Sequence, residues 1–114
     1  MPRTTPERSS QFRKGALELA ILALLGERPR YGGELVDELS ARPGLETTAG
    51  TVYPLLSRLA KAGAVRTTWQ ESSAGPPRKY YDLSASGRRD LAALTLEWTR
   101  LARGLDTLLK EVTP

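Results

Sequence analysis

The sequence contains neither cysteine nor histidine among its 114 residues. Without cysteine there can be no disulfide, thiol nucleophile or thiolate metal site. Without histidine the chain lacks the commonest general base and the commonest transition-metal ligand. No paired-carboxylate or nucleophile motif stands out, and the glycines match no phosphate-binding loop. We therefore expect no enzymatic activity, no metal site and no cofactor.

Long apolar runs are also missing. The longest apolar stretch extends from Ala16 to Leu25, contains Glu18, and is far too short to cross a bilayer. The first ten residues are polar and lack the apolar segment of a secretory signal. With 39% hydrophobic and 26% charged residues, the composition is typical of a globular domain with a modest core. These features favour one cytoplasmic domain with no membrane partner.

The basic residues are unevenly distributed in a chain whose net charge is +4. Residues 1–14 hold four cations against one carboxylate, and residues 47–83 hold five cations against two carboxylates. The segment 28–46 is slightly acidic. Positive charge in two blocks indicates a polyanionic partner such as nucleic acid, although solvated surface charge has the same appearance.

Three helices are predicted in the first half of the chain. Residues 1–11, with two prolines, are expected to form a flexible basic arm, and apolar spacing predicts helices over 12–26 and 31–42. A third helix follows the Pro43-Gly44 break and closes at Gly63. Because Pro54 lies inside it, this helix either starts irregularly at a Thr48 cap or starts regularly near Tyr53. The apolar residues that helical spacing predicts to face the core are Leu17, Ile21, Leu24, Leu25, Leu35, Val36, Leu39, Val52, Leu55, Leu56 and Leu59.

Two strands are predicted next, over 65–70 and 78–83. The Ser-, Gly- and Pro-rich segment 72–77 is long for a hairpin loop, so we expect its tip to be mobile. Tyr80 and Tyr81 should point to opposite faces, one into the core, and Trp69 should pack the hairpin on the domain. A helical unit followed by a basic hairpin is the layout of a winged helix-turn-helix. The predicted fold is thus mainly α (α+β), with this DNA-binding domain spanning 12–83.

The remaining residues, 84–114, are predicted to form one long helix that starts after Ser84. Its apolar residues alternate at spacings of three and four, as in a coiled-coil seam. About 28 helical residues span roughly 40 Å, which is too long to bury against so small a domain. We therefore expect the seam to bind a second copy of the chain, the alternative being a helix folded back on its own domain. The predicted dimer-interface residues are Leu91, Leu94, Trp98, Leu101, Leu105, Leu108 and Val112.

Two motifs carry a family resemblance. They are Gly50-Thr51-Val52-Tyr53-Pro54 and Arg78-Lys79-Tyr80-Tyr81, accompanied by Tyr31-Gly32, Leu83-Ser84 and Gly87. Over nearly all of residues 12–112 the chain resembles the PadR-like transcriptional regulators, in the smaller subgroup with a single C-terminal helix. The resemblance implies a dimeric winged-helix repressor, released from DNA in some members by a small molecule. One departure is Gly33, where the family often has an aromatic residue.

A recognition helix in the major groove and a basic wing would supply the DNA contacts. Hydroxyls can reach phosphates or base edges, and cations can bind phosphates. Alternatives stay open, since Tyr53 could close the core, Arg78 and Lys79 could pair with Glu71, and the first-helix cations could be merely solvated. The predicted DNA-binding residues are Arg13, Lys14, Thr47, Thr48, Thr51, Tyr53, Ser57, Arg58, Lys61, Arg78 and Lys79.

Trp98 lies in the middle of the predicted seam and has two interpretations. It is either a buried dimer-interface residue or a contact for a small aromatic or hydrophobic effector, as in multidrug-binding regulators that the chain resembles. The function expected is a dimeric, sequence-specific regulator, a repressor by resemblance, on double-stranded DNA with a pseudo-palindromic operator. The alternatives are a winged-helix protein–protein interaction module without DNA binding and a stand-alone small-molecule carrier.

Overall fold

Four helices and three strands form the chain in the computed structural model, which describes residues 5–113. The strands make one antiparallel sheet in the order β1-β3-β2. This is a winged helix-turn-helix that is mostly helical, as predicted. The elements are α1 (Pro6–Glu27), β1 (Arg30–Tyr31), α2 (Gly32–Ser40), α3 (Ala49–Lys61), β2 (Val65–Ser72), β3 (Gly75–Leu83) and α4 (Ala85–Val112).

Helix α1 begins earlier than predicted. Thr5 occupies the N-cap position, and its hydroxyl accepts a hydrogen bond from the backbone N–H of Arg8 at 3.1 Å. Proline suits the first turn of a helix because the N–H it lacks has no partner there. The expected flexible arm over 1–11 is therefore wrong for residues 6–11, and its first four residues lie outside the described part of the chain.

A short strand precedes α2 and was not predicted. Arg30 and Tyr31 pair with Tyr81 and Tyr80 of β3, so the junction between the first two predicted helices completes the sheet. Two residues are too few to show the alternation that identifies a strand. Helix α2 is correspondingly shorter than predicted and ends at Ser40.

The core contains the apolar residues that helical spacing identified. Leu17, Ile21, Leu35, Val52 and Leu56 are all at most 3% exposed, whereas Val36 is only partly buried. From the sheet, Val65, Tyr81 and Leu83 close this cluster. Tyr81 is buried and Tyr80 half-buried, which agrees with the prediction that they lie on opposite faces.

Helix α4 starts against the body and then leaves it. Gly87 lies so close to Ala64 that an added Cβ would be 2.0 Å from the Ala64 carbonyl oxygen. The Ser84 hydroxyl caps α4 by accepting from the Gly87 N–H at 3.1 Å, and it donates to the Gly63 carbonyl at 2.6 Å. Of the 28 residues of α4, only Gly87 is fully buried, so the helix is not folded into its own domain. Across residues 5–113 no helix is both long and apolar enough to span a bilayer.

Candidate nucleic-acid interface

One face of α3 is buried and the other carries polar side chains to the surface. Val52, Leu55, Leu56 and Leu59 point into the core, which leaves Tyr53 and Ser57 exposed and Thr51 half-exposed. Arg58 and Lys61 are also exposed, in the last turn of the helix. An α-helix with an exposed face of hydroxyls and cations is what a major-groove reader requires.

The start of α3 agrees with the predicted Thr48 cap position and not with a start near Tyr53. Pro54 lies inside the helix, so the alternative of a regular start near Tyr53 is wrong. Thr48 does occupy the N-cap position, but its hydroxyl makes no capping bond and lies 3.4 Å from the Thr51 hydroxyl instead. Since Pro54 has no N–H, the Gly50 carbonyl lacks its usual helical partner.

Tyr53 both packs against its own domain and reaches the surface. Its ring packs against Gly32 at the start of α2, where an added Cβ would lie 2.5 Å from the ring. The side chain is nevertheless 45% exposed. Gly32 thus makes room for the ring against α2, and the exposed part of the side chain remains accessible to a ligand.

The wing is a tight hairpin and has no long loop. Ser72 pairs with Gly75, so only two residues form the connection, and the pairing is irregular between Gln70 and Ser72. The predicted long loop over 72–77 is therefore wrong, and both prolines of that segment lie in β3. They are tolerated because β1 reaches only two residues of β3 and leaves that edge open beyond them.

The two wing cations lie over tyrosine rings. The guanidinium carbon of Arg78 is 4.4 Å from the centre of the Tyr31 ring, and Lys79 Nζ is 5.7 Å from that of Tyr81. In the register Arg78 stands opposite Gln70 and Lys79 opposite Trp69. Among the ion pairs of residues 5–113 neither cation pairs with Glu71, so that alternative is wrong. Both charges remain available to an anion.

Two other predicted cations already have protein partners. Arg13 lies within α1, where its Nη2 donates to the carbonyls of Gly44 at 3.2 Å and Glu46 at 2.6 Å. Arg58 Nη2 donates to Glu18 Oε2 at 2.6 Å, although its side chain is 48% exposed. Both arginines brace α1 against the helix-turn-helix, a role that the sequence did not indicate.

Lys14 and the threonines lie in clefts on either side of the start of α3. Lys14 borders a cleft of about 250 Å³ with Thr51 and Arg58. Thr47 and Thr48 border a second cleft, of about 370 Å³, with Arg13. Within the described chain Lys14 and Lys61 take part in no ion pair. The structure thus places the predicted α1 cations beside the predicted recognition helix.

Trp69 does not pack the hairpin on the domain, contrary to the prediction. Its side chain is 66% exposed because β2 extends beyond the edge of the core. It borders a groove of about 470 Å³ between α3 and the wing, together with Tyr53, Ser57, Arg78 and Lys79. The polar face of α3 and the wing therefore border the same groove, and Trp69 is one of the residues that line it.

The predicted dimer seam is largely exposed. Leu91 is an exception, since it is half-buried against the core of its own domain. Trp98 is 48% exposed and borders a notch of about 160 Å³ with Gly15, Leu19, Leu94 and Leu101. The seam residues beyond Leu91 are all at least 37% exposed, namely Leu94, Trp98, Leu101, Leu105, Leu108 and Val112.

Comparison with known proteins agrees with this architecture. The sequence model of the transcriptional regulator PadR-like family matches residues 21–93. The chain belongs to the PadR-like family. A transcriptional regulator of Mycobacterium tuberculosis is 34% identical, with 90% of this chain and 87% of the relative covered. An uncharacterised protein of Lysinibacillus sphaericus is 30% identical, covering 89% and 94% of the two chains.

Solved structures lead to the same family. A PadR-like transcription factor from Bacteroides fragilis is 38% identical with a TM-score of 0.74, covering 88% of this chain and 96% of that one. A PadR-like regulator from Bacillus cereus is 33% identical with a TM-score of 0.77, covering 87% and 96%. This PadR-family protein is thus a transcriptional regulator with the winged-helix fold and no enzyme, as its sequence indicated.

Proposed function

We propose that this PadR-family regulator binds double-stranded DNA as a homodimer, at a pseudo-palindromic operator, and represses transcription. One observation carries the proposal: the exposed polar face of α3 and the cations of the wing border the same groove. A duplex can place its major groove on α3 while a flanking phosphate strand meets the wing. Such a partner places the protein in the cytoplasm.

Within this proposal the site residues divide by chemistry. Thr51, Tyr53 and Ser57 face outward from α3 and reach base edges, because hydroxyls both donate and accept hydrogen bonds. The unpaired cations bind phosphates. Arg13 and Arg58 are weaker candidates for phosphate binding, because DNA would compete with the hydrogen bonds that they already make. The phosphate-binding residues are Lys14, Lys61, Arg78 and Lys79, and Thr47 and Thr48 approach the backbone from the start of α3.

The exposed seam of α4 supports the dimer. A row of exposed leucines and one tryptophan along a 28-residue helix would be costly in water and is suited to a second copy. A twofold dimer would present two copies of α3 about 34 Å apart, one turn of duplex. The notch at Trp98 is the place where a small aromatic or hydrophobic effector would bind and release the DNA.

A fluorescence-anisotropy titration tests the proposal. A labelled duplex covering the gene's own upstream region is compared with a scrambled duplex at two salt concentrations. We expect selective, salt-dependent binding, and replacement of Arg78 and Lys79 by alanine should reduce the log–log salt slope by up to about one for each phosphate that is no longer neutralised. Arg66→Ala is the matched control, because it removes one cation from the other end of the hairpin, where it pairs with Asp82 at 3.6 Å.

Two outcomes would contradict parts of the proposal. An unchanged salt slope in the Arg78 and Lys79 variants would refute their phosphate role while leaving DNA binding intact. Weak, equal binding of both duplexes by the wild-type protein would favour the protein-interaction module, and pull-down with partner proteins would follow.

A further inference from the structure

Trp69 occupies an unusual position for a tryptophan in a small domain. Its side chain is 66% exposed, yet it is the largest apolar side chain of the wing. Residues two apart on a strand share a face, so Trp69 lies on the same side of β2 as the buried Val65. It therefore faces the side on which α3 packs, but beyond the edge of the core. Nothing within the domain requires an indole there.

The groove beside Trp69 has a defined chemistry. Its lining holds two cations, Arg78 and Lys79, the hydroxyl-bearing Tyr53 and Ser57, and no carboxylate. Charge complementarity calls for an anion, whereas the indole calls for an apolar or planar group beside that anion. A sugar–phosphate strand provides both, because each phosphate is flanked by apolar deoxyribose carbons.

We infer that Trp69 is a DNA-contact residue, whose indole packs on the deoxyribose strand running between α3 and the wing. Its Nε1–H is a donor only, so it pairs with an acceptor such as a phosphate oxygen. The inference rests on the proposed function and adds to it a contact that carries no charge. It also explains why the wing projects an indole past the core.

The two tryptophans of the chain allow a direct test. In Trp98→Phe, which keeps an aromatic ring in the seam, Trp69 is the sole tryptophan. An anisotropy titration of this variant first gives the duplex concentration that saturates it, and acrylamide quenching of its emission is then measured with and without the upstream duplex at that concentration. We expect the duplex to protect Trp69 from quenching. Trp69→Phe leaves only Trp98 on α4 and is the matched control, in which the duplex should leave quenching unchanged.

Affinity measurements supply a second readout. Stacking of a base on an aromatic side chain is worth about five- to a hundredfold in binding. We expect the deoxyribose packing and the Nε1–H bond of Trp69 together to fall within that range, so Trp69→Ala should weaken duplex binding by such a factor. Its salt slope should match that of the wild type, because no charge is removed. Trp69→Phe keeps the aromatic surface and should weaken binding about tenfold or less, the value of one hydrogen bond.

The outcomes separate this inference from the proposed function. If the wild type binds the duplex but Trp69 remains equally quenchable, the Trp69 contact is refuted and DNA binding stands. If the wild type binds neither duplex, both are refuted. A Trp69→Ala variant that does not fold leaves the quenching experiment decisive, since that experiment keeps Trp69 in place.

Discussion

Replacing Arg30 by methionine would test the ion network that joins α1, β1 and α2. The Arg30 side chain is only 5% exposed. It donates to the Leu24 carbonyl at the end of α1, to both carboxylate oxygens of Glu38 in α2, and to Glu27 Oε1 at 3.0 Å. Methionine keeps much of the buried volume but removes the charge, these four donations and a fifth, longer one to the Arg28 carbonyl at 3.4 Å.

The expected loss of stability follows from what remains behind. Breaking a buried ion pair by removing one partner costs about 3–5 kcal/mol, because the other charge stays uncompensated. The Glu38 side chain is 28% exposed, and its Oε2 lies 3.9 Å from Arg28 Nη2, so part of its charge is still solvated or paired. We therefore expect Arg30→Met to lower the free energy of unfolding by about 3 kcal/mol, the lower end of that range.

Urea unfolding followed by far-UV circular dichroism measures this loss at pH 7. The protein concentration must be fixed, since the stability of a dimer depends on it. Arg28→Met is the matched control, because Arg28 is 53% exposed and its ion pair with Glu34 should contribute at most about 1 kcal/mol. Equal losses in the two variants would refute the reasoning.

Acidification provides an independent check of the same network. The hydrogen bond from Arg30 holds the pKa of Glu38 below its ordinary value. A carboxylate whose pKa is lowered by folding contributes stability above its unfolded pKa, about 4.3, and that stability disappears as the pH falls through the folded pKa. The stability gap between wild type and Arg30→Met should therefore narrow below about pH 4. A gap that is constant with pH would contradict the assigned cause.

Two further substitutions test the placement and the proposed role of α4. Gly87→Ala forces a Cβ to within 2.0 Å of the Ala64 carbonyl oxygen and should cost about 1–3 kcal/mol in urea unfolding; a neutral result would contradict the close approach. Leu105→Asp places a charge in the seam and should shift sedimentation velocity from dimer to monomer at micromolar concentration. Thr107→Asp, on the opposite side of α4, is its control and should remain dimeric, and dissociation of both variants or neither would refute the seam.

Periodicity predicted the helical core well, because helix spacing and burial depend on the same residues. Leu17, Ile21, Val52 and Leu56 were identified from spacing and are all buried. The start of α1 was missed because proline at residue 6 was interpreted as part of a flexible arm, whereas Thr5 caps a helix there. Local chemistry of this kind decides helix ends, and apolar spacing does not report it.

The candidate site was predicted only in part, and for a physical reason. Strand alternation and helix spacing show which way a side chain points, so the exposed positions of α3 followed from the sequence. These patterns do not show which distant residues a side chain contacts. The hydrogen bond from Arg58 to Glu18 joins residues that are 40 apart in the sequence. Trp69 is exposed because the hairpin extends beyond the core. Both facts depend on how distant segments pack.

The junction between α3 and α4 links the two halves of the proposed function. Gly63, with φ of +78°, ends α3 in a conformation that favours glycine, and the next residue, Ala64, lies against Gly87 of α4. The Ser84 hydroxyl bonds the Gly63 carbonyl and caps α4 at the same time. Because Gly87 lies against the Ala64 carbonyl with no side chain between them, α4 has little freedom to pivot relative to the end of α3. In a dimer held by α4, the angle of that helix would therefore set the distance between the two copies of α3. An effector at Trp98 would tilt α4, carry α3 with it, and so change the distance between the two copies of α3.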